Sequence, residues 1–142
     1  MARTAYCASK FGLEGFAESL MQETMPLGLK VSIVEPGLVN TERWTVHRGL
    51  AKGATNPKSP YYKWFCRLEK LSDELLQTSG ITPNDVAKTI YKALTVSQPR
   101  LRYVVGRRTG LILALRRYAP GELFERIYFG EAMRRITGSR EP

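Results

Sequence analysis

A single histidine, two cysteines and no long apolar run are the first limits this 142-residue sequence sets on its own chemistry. One histidine, His47, excludes a histidine-based metal site and argues against a histidine triad. Cys7 and Cys66 form neither a disulfide framework nor a metal-ligand cluster, so a reducing, cytoplasmic setting is expected. The longest purely apolar run, Leu111 to Leu115, is far too short to span a bilayer. The opening "MARTAYCASK" has no apolar core of the signal-peptide kind. A glycine-rich phosphate fingerprint is also missing, because the G-x-x-x-G spacings at Gly49/Gly53 and Gly106/Gly110 both lack the third glycine. Internal repeats and low-complexity segments are absent.

Acidic residues are scarce as well: 13 stand against 22 lysines and arginines, for a net charge of +9. The imbalance is concentrated in residues 100–142, where ten arginines meet four glutamates. Such a tail suits anionic lipid or nucleic acid, or is simply a solvated face. No nucleic-acid-binding motif accompanies the charge, so a nucleic-acid partner is not expected. What remains is ordinary globular composition, 43% hydrophobic and 25% charged, in a chain long enough for one domain.

Residues 5–24 read as a helix, with Leu13, Phe16, Ala17, Leu20 and Met21 recurring as an apolar stripe. Tyr6 and Lys10 project onto that stripe, Glu14 and Glu18 lie at its edge, and Ala8, Gly12, Gly15 and Ser19 form a bare strip on another face. "LKVSIVEPG" then alternates like a strand and is stopped by Pro36-Gly37. Residues 42–58 read as a loop. A helix is expected from Ser59-Pro60 to Gly80, with Tyr61, Trp64, Phe65, Leu68, Leu71 and Leu75 on its apolar face. "TPNDVAKTIYKAL" opens another helix, with Thr82 placed to cap it, Pro83 in its first position and Asp85 complementing its dipole. "RLRYVVG" reads as a second strand, followed by helix from Thr109 to about Ile136, interrupted at Pro120-Gly121. Helices alternating with strands favour an α/β fold with a parallel sheet.

Tyr6 and Lys10 stand one helical turn apart on the same face. In a cleft, the ammonium would favour the phenolate, and the tyrosine could exchange a proton with an alcohol or carbonyl. A Y-x-x-x-K spacing is common and carries little alone. Its surroundings carry more. "YCASKFGLEGFAESLMQE", then "GLKVSIVEPGLVNT", "TPNDVAKTIYKAL" and "PRLRYVVG", together resemble the short-chain dehydrogenase/reductase family over roughly residues 2–106.

That resemblance implies a partial Rossmann-like, doubly wound parallel sheet, comprising its last two strands and their flanking helices. It makes Tyr6 the general acid/base, and gives Lys10 the nicotinamide ribose hydroxyls and a part in ionising the tyrosine. Pro36, Gly37, Val39 and Thr41 become the wall beside the nicotinamide of NAD or NADP. Residues 42–81 correspond to the substrate lid, where Trp44, Tyr61 and Trp64 suit an apolar alcohol or carbonyl substrate, and where Tyr62, Phe65 and His47 also fall. Their competing role is helix packing, or for His47 a solvated loop position. The resemblance further implies a homo-oligomer joined through the 5–24 helix.

The organisation expected is one partial domain: active-site helix, strand and turn in 1–41, lid in 42–81, helix and last core strand in 82–106, and a basic helical extension in 107–142. The family's catalytic serine, its relay asparagine and its cofactor-binding half have no counterpart here. The sequence therefore looks like the carboxyl-terminal half of an oxidoreductase, expected to be inactive and not to bind NAD or NADP alone. "RYVVGRRTGLILAL" mimics a phosphate-binding strand, turn and helix, but the resemblance assigns that strand to the far end of the sheet. The rival reading is a non-catalytic chain whose basic helices, residues 107–136, lie on a membrane surface or bind a protein. For those helices, packing on the chain itself, over its own substrate pocket, is the reading favoured over the membrane surface.

Overall fold

The computed structural model describes residues 4–42, 49–51 and 53–138. Trp44 and His47 therefore lie outside the described residues. The chain forms two compact units, the first made of Met1–Glu35 and Asn84–Val105, the second of Pro36–Pro83 and Gly106–Pro142.

The first unit opens with helix α1, Thr4–Thr24, followed by a 3-10 turn at Met25–Leu27. Gly28 closes that turn at φ +74°, a conformation open to glycine, and its N–H donates to the Met25 carbonyl at 3.0 Å. Strand β1, Ile33–Pro36, pairs in parallel with β2, Arg102–Val105. The fold class is therefore α/β, as the alternation of elements predicts. The first strand is shorter than the alternation from Leu29 suggests. Opposite Lys30 and Ser32 lies an irregular stretch containing Pro99, which has no N–H to give a ladder. Side chains substitute: the Lys30 ammonium donates to the Ser97 carbonyl, and the Ser32 hydroxyl donates to the Arg100 carbonyl at 2.9 Å. The ladder begins where the Ile33 N–H reaches the Leu101 carbonyl at 2.6 Å.

The face that α1 turns inward differs from its apolar stripe. Arg102 on β2 draws in the helix's carboxylates, Glu14 at 3.0 Å together with Glu18, and also pairs with Glu35 on β1 at 3.1 Å. Ala17, Leu20 and Met21 follow these glutamates inward and are half-buried, whereas Leu13 and Phe16 are rotated out to solvent. A row of polar side chains at the expected edge thus sets the helix's orientation. The other long element of this unit, α3, is Pro83–Thr95, with Pro83 in the first position and Asp85 in the first turn, as the sequence predicts. Among the described residues of this unit, Ala93 of α3 and Val105 of β2 are the buried apolar ones.

In the second unit, α2 spans Tyr62–Gln77, α4 spans Arg107–Tyr118 and α5 spans Gly121–Thr137. The start of α2 is a correction to the sequence reading. Ser59 and Pro60 form a turn instead of its first residues, with the Ser59 hydroxyl accepting from the Tyr61 N–H at 3.3 Å and the Ser59 carbonyl from the Tyr62 N–H at 3.1 Å. Leu68 and Leu76 of α2 and Ile136 of α5 are buried, and the Arg67 guanidinium donates to the Ile136 carbonyl at 3.2 Å. Helix α5 also packs on α4, across the break expected at Pro120-Gly121.

Candidate active site

Tyr6 and Lys10 both lie in the first two turns of α1, and the helical repeat brings their side chains together. The Lys10 Nζ sits 5.5 Å from the centroid of the Tyr6 ring, within the range of cation–π attraction. Tyr6 is 53% exposed and Lys10 is also in solvent, so the ammonium needs no buried partner. Ser9, between them, turns its hydroxyl back to the Tyr6 carbonyl at 2.8 Å. The pair presents a phenol and a cation side by side: one group that can hold or release a proton, and one that can hold an anion or a diol. The bare strip also faces outward. A Cβ built on Gly12 or Gly15 would meet nothing within 4 Å.

The Pro-Gly turn belongs to the second unit. Pro36 is exposed, and Gly37, Val39 and Thr41 are half-buried. Val39 is held by a parallel bridge to Ile81. A Cβ on Gly37 would overlap the Thr109 hydroxyl on the first turn of α4 and approach the Ile81 Cδ1 to 2.8 Å. Gly106, at φ +105°, is bare toward the same isoleucine, whose Cγ1 a Cβ would meet at 3.1 Å. Gly37, Gly106, Ile81 and Thr109 therefore interlock, and the turn's shape depends on two absent side chains. Sequence reading identified Gly37 and missed Ile81 and Thr109. Their one signal was Gly106, a glycine closing a strand immediately before a helix.

In the first unit, Glu35 on β1 carries a perturbed carboxyl. Burial pushes its carboxyl above the usual carboxylate range, and Glu14 pushes the same way. The Arg102 guanidinium opposes both without cancelling them. Among the lid residues, Tyr61 and Trp64 meet edge to face, with ring centroids 5.7 Å apart, and both are exposed. Tyr62 lies one turn before Cys66, whose sulfur raises the phenol above its ordinary value. Phe65 is half-buried, so of these described aromatic residues Tyr62 and Phe65 turn inward while Tyr61 and Trp64 are exposed.

Among the described residues there is no group of three or more histidines, cysteines or carboxylates able to hold a metal. No helix of the described residues is long and apolar enough to cross a membrane.

Known proteins are similar to this chain. The family model described as short chain dehydrogenase matches residues 1–48, which contain Tyr6, Lys10 and the Pro-Gly turn. An NADPH-dependent 3-dehydrocapnine reductase of Ornithobacterium rhinotracheale is 29% identical over 134 residues, covering 93% of this chain and 45% of the relative. Retinol dehydrogenase 8 of Bos taurus is 36% identical over 126 residues, covering 85% of this chain and 40% of the relative. The mitochondrial D-beta-hydroxybutyrate dehydrogenase of Bos taurus is 32% identical over 145 residues, covering 90% and 41%. The chain thus spans less than half the length of these relatives.

Proposed function

We propose that this chain, which belongs to the short chain dehydrogenase family, carries the proton-transfer half of an oxidoreductase that interconverts an alcohol and a carbonyl. The observation that carries the reading is the Tyr6–Lys10 pair, one turn apart and 5.5 Å from ring to ammonium, inside the family-matched segment. The donor set suits a nicotinamide nucleotide: a cation able to hold ribose hydroxyls beside a phenol able to reach the reacting oxygen. NAD or NADP supplies hydride exchange when bound.

Tyr6 gives its phenolic proton to the carbonyl oxygen during reduction and recovers it during oxidation. Lys10 stabilises the phenolate by its positive charge and would hold the ribose hydroxyls of a bound nicotinamide nucleotide through its ammonium donors. To the turn of Pro36, Gly37, Val39 and Thr41, in the second unit, we assign the nicotinamide contact that the family resemblance implies. Tyr61 and Trp64 offer exposed aromatic surface to an apolar substrate.

The test is a chimaera in which this chain replaces the matched segment of the 3-dehydrocapnine reductase, assayed for hydride transfer with NADH and NADPH over a panel of apolar alcohols and ketones. Tyr6→Phe is expected to lower kcat by roughly 10²–10⁴-fold, the usual contribution of a positioned acid/base. Lys10→Met should lower kcat and raise the cofactor KM together. An active chimaera that keeps its kcat within a factor of a few in Tyr6→Phe would refute the assignment.

A further inference from the structure

Helix α4 begins with two arginines and ends with two more, Arg107, Arg108, Arg116 and Arg117, all exposed. Between them Leu111, Leu115 and Tyr118 recur at i, i+4 and i+7, the spacing that puts side chains on one face of a helix. All three are in solvent, at 61%, 52% and 82% exposure. The inward side of α4 is accounted for separately, by half-buried Thr109 and Ile112 and by packing on α5. Helix α5 adds exposed Leu123 and Ile127, with Arg126 and Arg134 also in solvent. Its Glu131 is already engaged, bonded to Arg134 and to Arg135 at 3.1 Å. Both arginines hold that carboxyl below the usual range, so it remains charged and occupied.

We infer that the exposed Leu111–Leu115–Tyr118 face of α4, flanked by Arg107 and Arg108, docks on an anionic lipid surface. Two features select lipid over a folded protein partner. Residues 107–137 hold seven arginines against three glutamates, a charge excess complementary to acidic headgroups. The leucines and tyrosine form a narrow convex row, which can enter the headgroup and acyl boundary without a matching groove. Helix α4 has only 12 residues, and no described helix is long and apolar enough to cross, so the arrangement is one of lying on the surface. Arg107 and Arg108 can reach phosphates while the aliphatic row sits beside them, and Tyr118 suits the interface because its ring is apolar and its hydroxyl stays wet. The inference stands on the second unit alone and does not depend on the oxidoreductase reading.

Co-sedimentation of the full 142-residue chain with phosphatidylcholine vesicles, with and without phosphatidylserine, tests it. The chain is expected to pellet with the phosphatidylserine vesicles at low salt and to be released as salt rises, because attraction between surface charges is screened. Arg107→Gln combined with Arg108→Gln should weaken binding, by about fivefold for each arginine. Leu111→Ser, Leu115→Ser and Tyr118→Ser together leave the charge unchanged, and should abolish pelleting while the circular dichroism stays that of the parent. No pelleting with phosphatidylserine at low salt overturns the inference. So does undiminished pelleting of the folded triple variant, which would reduce the effect to charge alone. Sedimentation of the parent without vesicles would also overturn it, since the apolar row would then be buried between copies of the chain.

Discussion

Gly37 is a residue whose missing side chain can be traced to named neighbours. A methyl group there would have to displace the Thr109 hydroxyl and the tip of Ile81, the one on α4 and the other bridged to Val39. Overpacking of this kind costs about 1–3 kcal/mol, so Gly37→Ala is expected to lower the urea midpoint by a corresponding amount. Thr109→Ala removes the overlapping oxygen and leaves its Cβ at a tolerable 3.4 Å from the new methyl. The double variant should therefore recover part of the loss, with a coupling of at least ~1 kcal/mol between the two sites. Strict additivity would mean that the turn moves away from α4 instead of pressing on it. The Pro-Gly pair was readable in the sequence because a turn is a local event and its residue types announce it. Thr109 and Ile81 were not, because long-range contact leaves no trace in spacing. Tyr6 and Lys10 were readable for the same reason as the turn: one helical repeat fixes their separation.

At the level of elements, helices declared themselves through periodicity, and α3 also through Pro83, whereas their orientations did not. α3 begins at Pro83 as the Thr-Pro start predicts, yet α1 faces inward with Glu14 and Glu18 and leaves Leu13 and Phe16 in water. Periodicity identifies an apolar stripe but does not say what will cover it. Here one guanidinium against three carboxylates fixes the helix on its two strands, and the surplus negative charge falls on Glu35, the least exposed of the three. Burial and Glu14 raise its pKa in the fold, so the folded chain binds a proton there more tightly than the unfolded chain does. The sign follows from linkage: the charged carboxylate disfavours folding above the raised pKa, and that cost disappears below the ordinary carboxylate value. As pH falls through the interval between those two values, this group adds stability. Glu35→Gln should accordingly raise the melting temperature at pH 7 and flatten the part of the pH profile that this group supplies. A variant that melts lower at pH 7 would show that the Arg102 pairing at 3.1 Å outweighs burial and the repulsion from Glu14.

At the scale of the whole chain, buried apolar residues are few among the described residues: Leu68, Leu76 and Ile136 in one unit, Ala93 and Val105 in the other. The α/β class was readable from the alternation of elements, but composition gave no sign of so small a core, because 43% hydrophobic content says nothing about what those residues meet. The relatives that the chain matches are more than twice as long as the segment they share with it, and tight pyrophosphate binding in this fold needs a glycine-rich turn opening a helix. The nearest imitation is Gly106 to Gly110 at the start of α4. There the bare side of Gly106 is filled by Ile81, and the Gly110 N–H is spent on the Gly106 carbonyl at 3.0 Å. A backbone already packed on that side has no room for a phosphate to approach as it would a fingerprint glycine. We therefore expect calorimetry of the 142-residue chain with NADH and NADPH to show no binding in the micromolar range, with Tyr6 and Lys10 intact. Micromolar affinity lost in Arg107→Gln/Arg108→Gln would reverse this, because it would place the phosphates at the first turn of α4 despite Ile81.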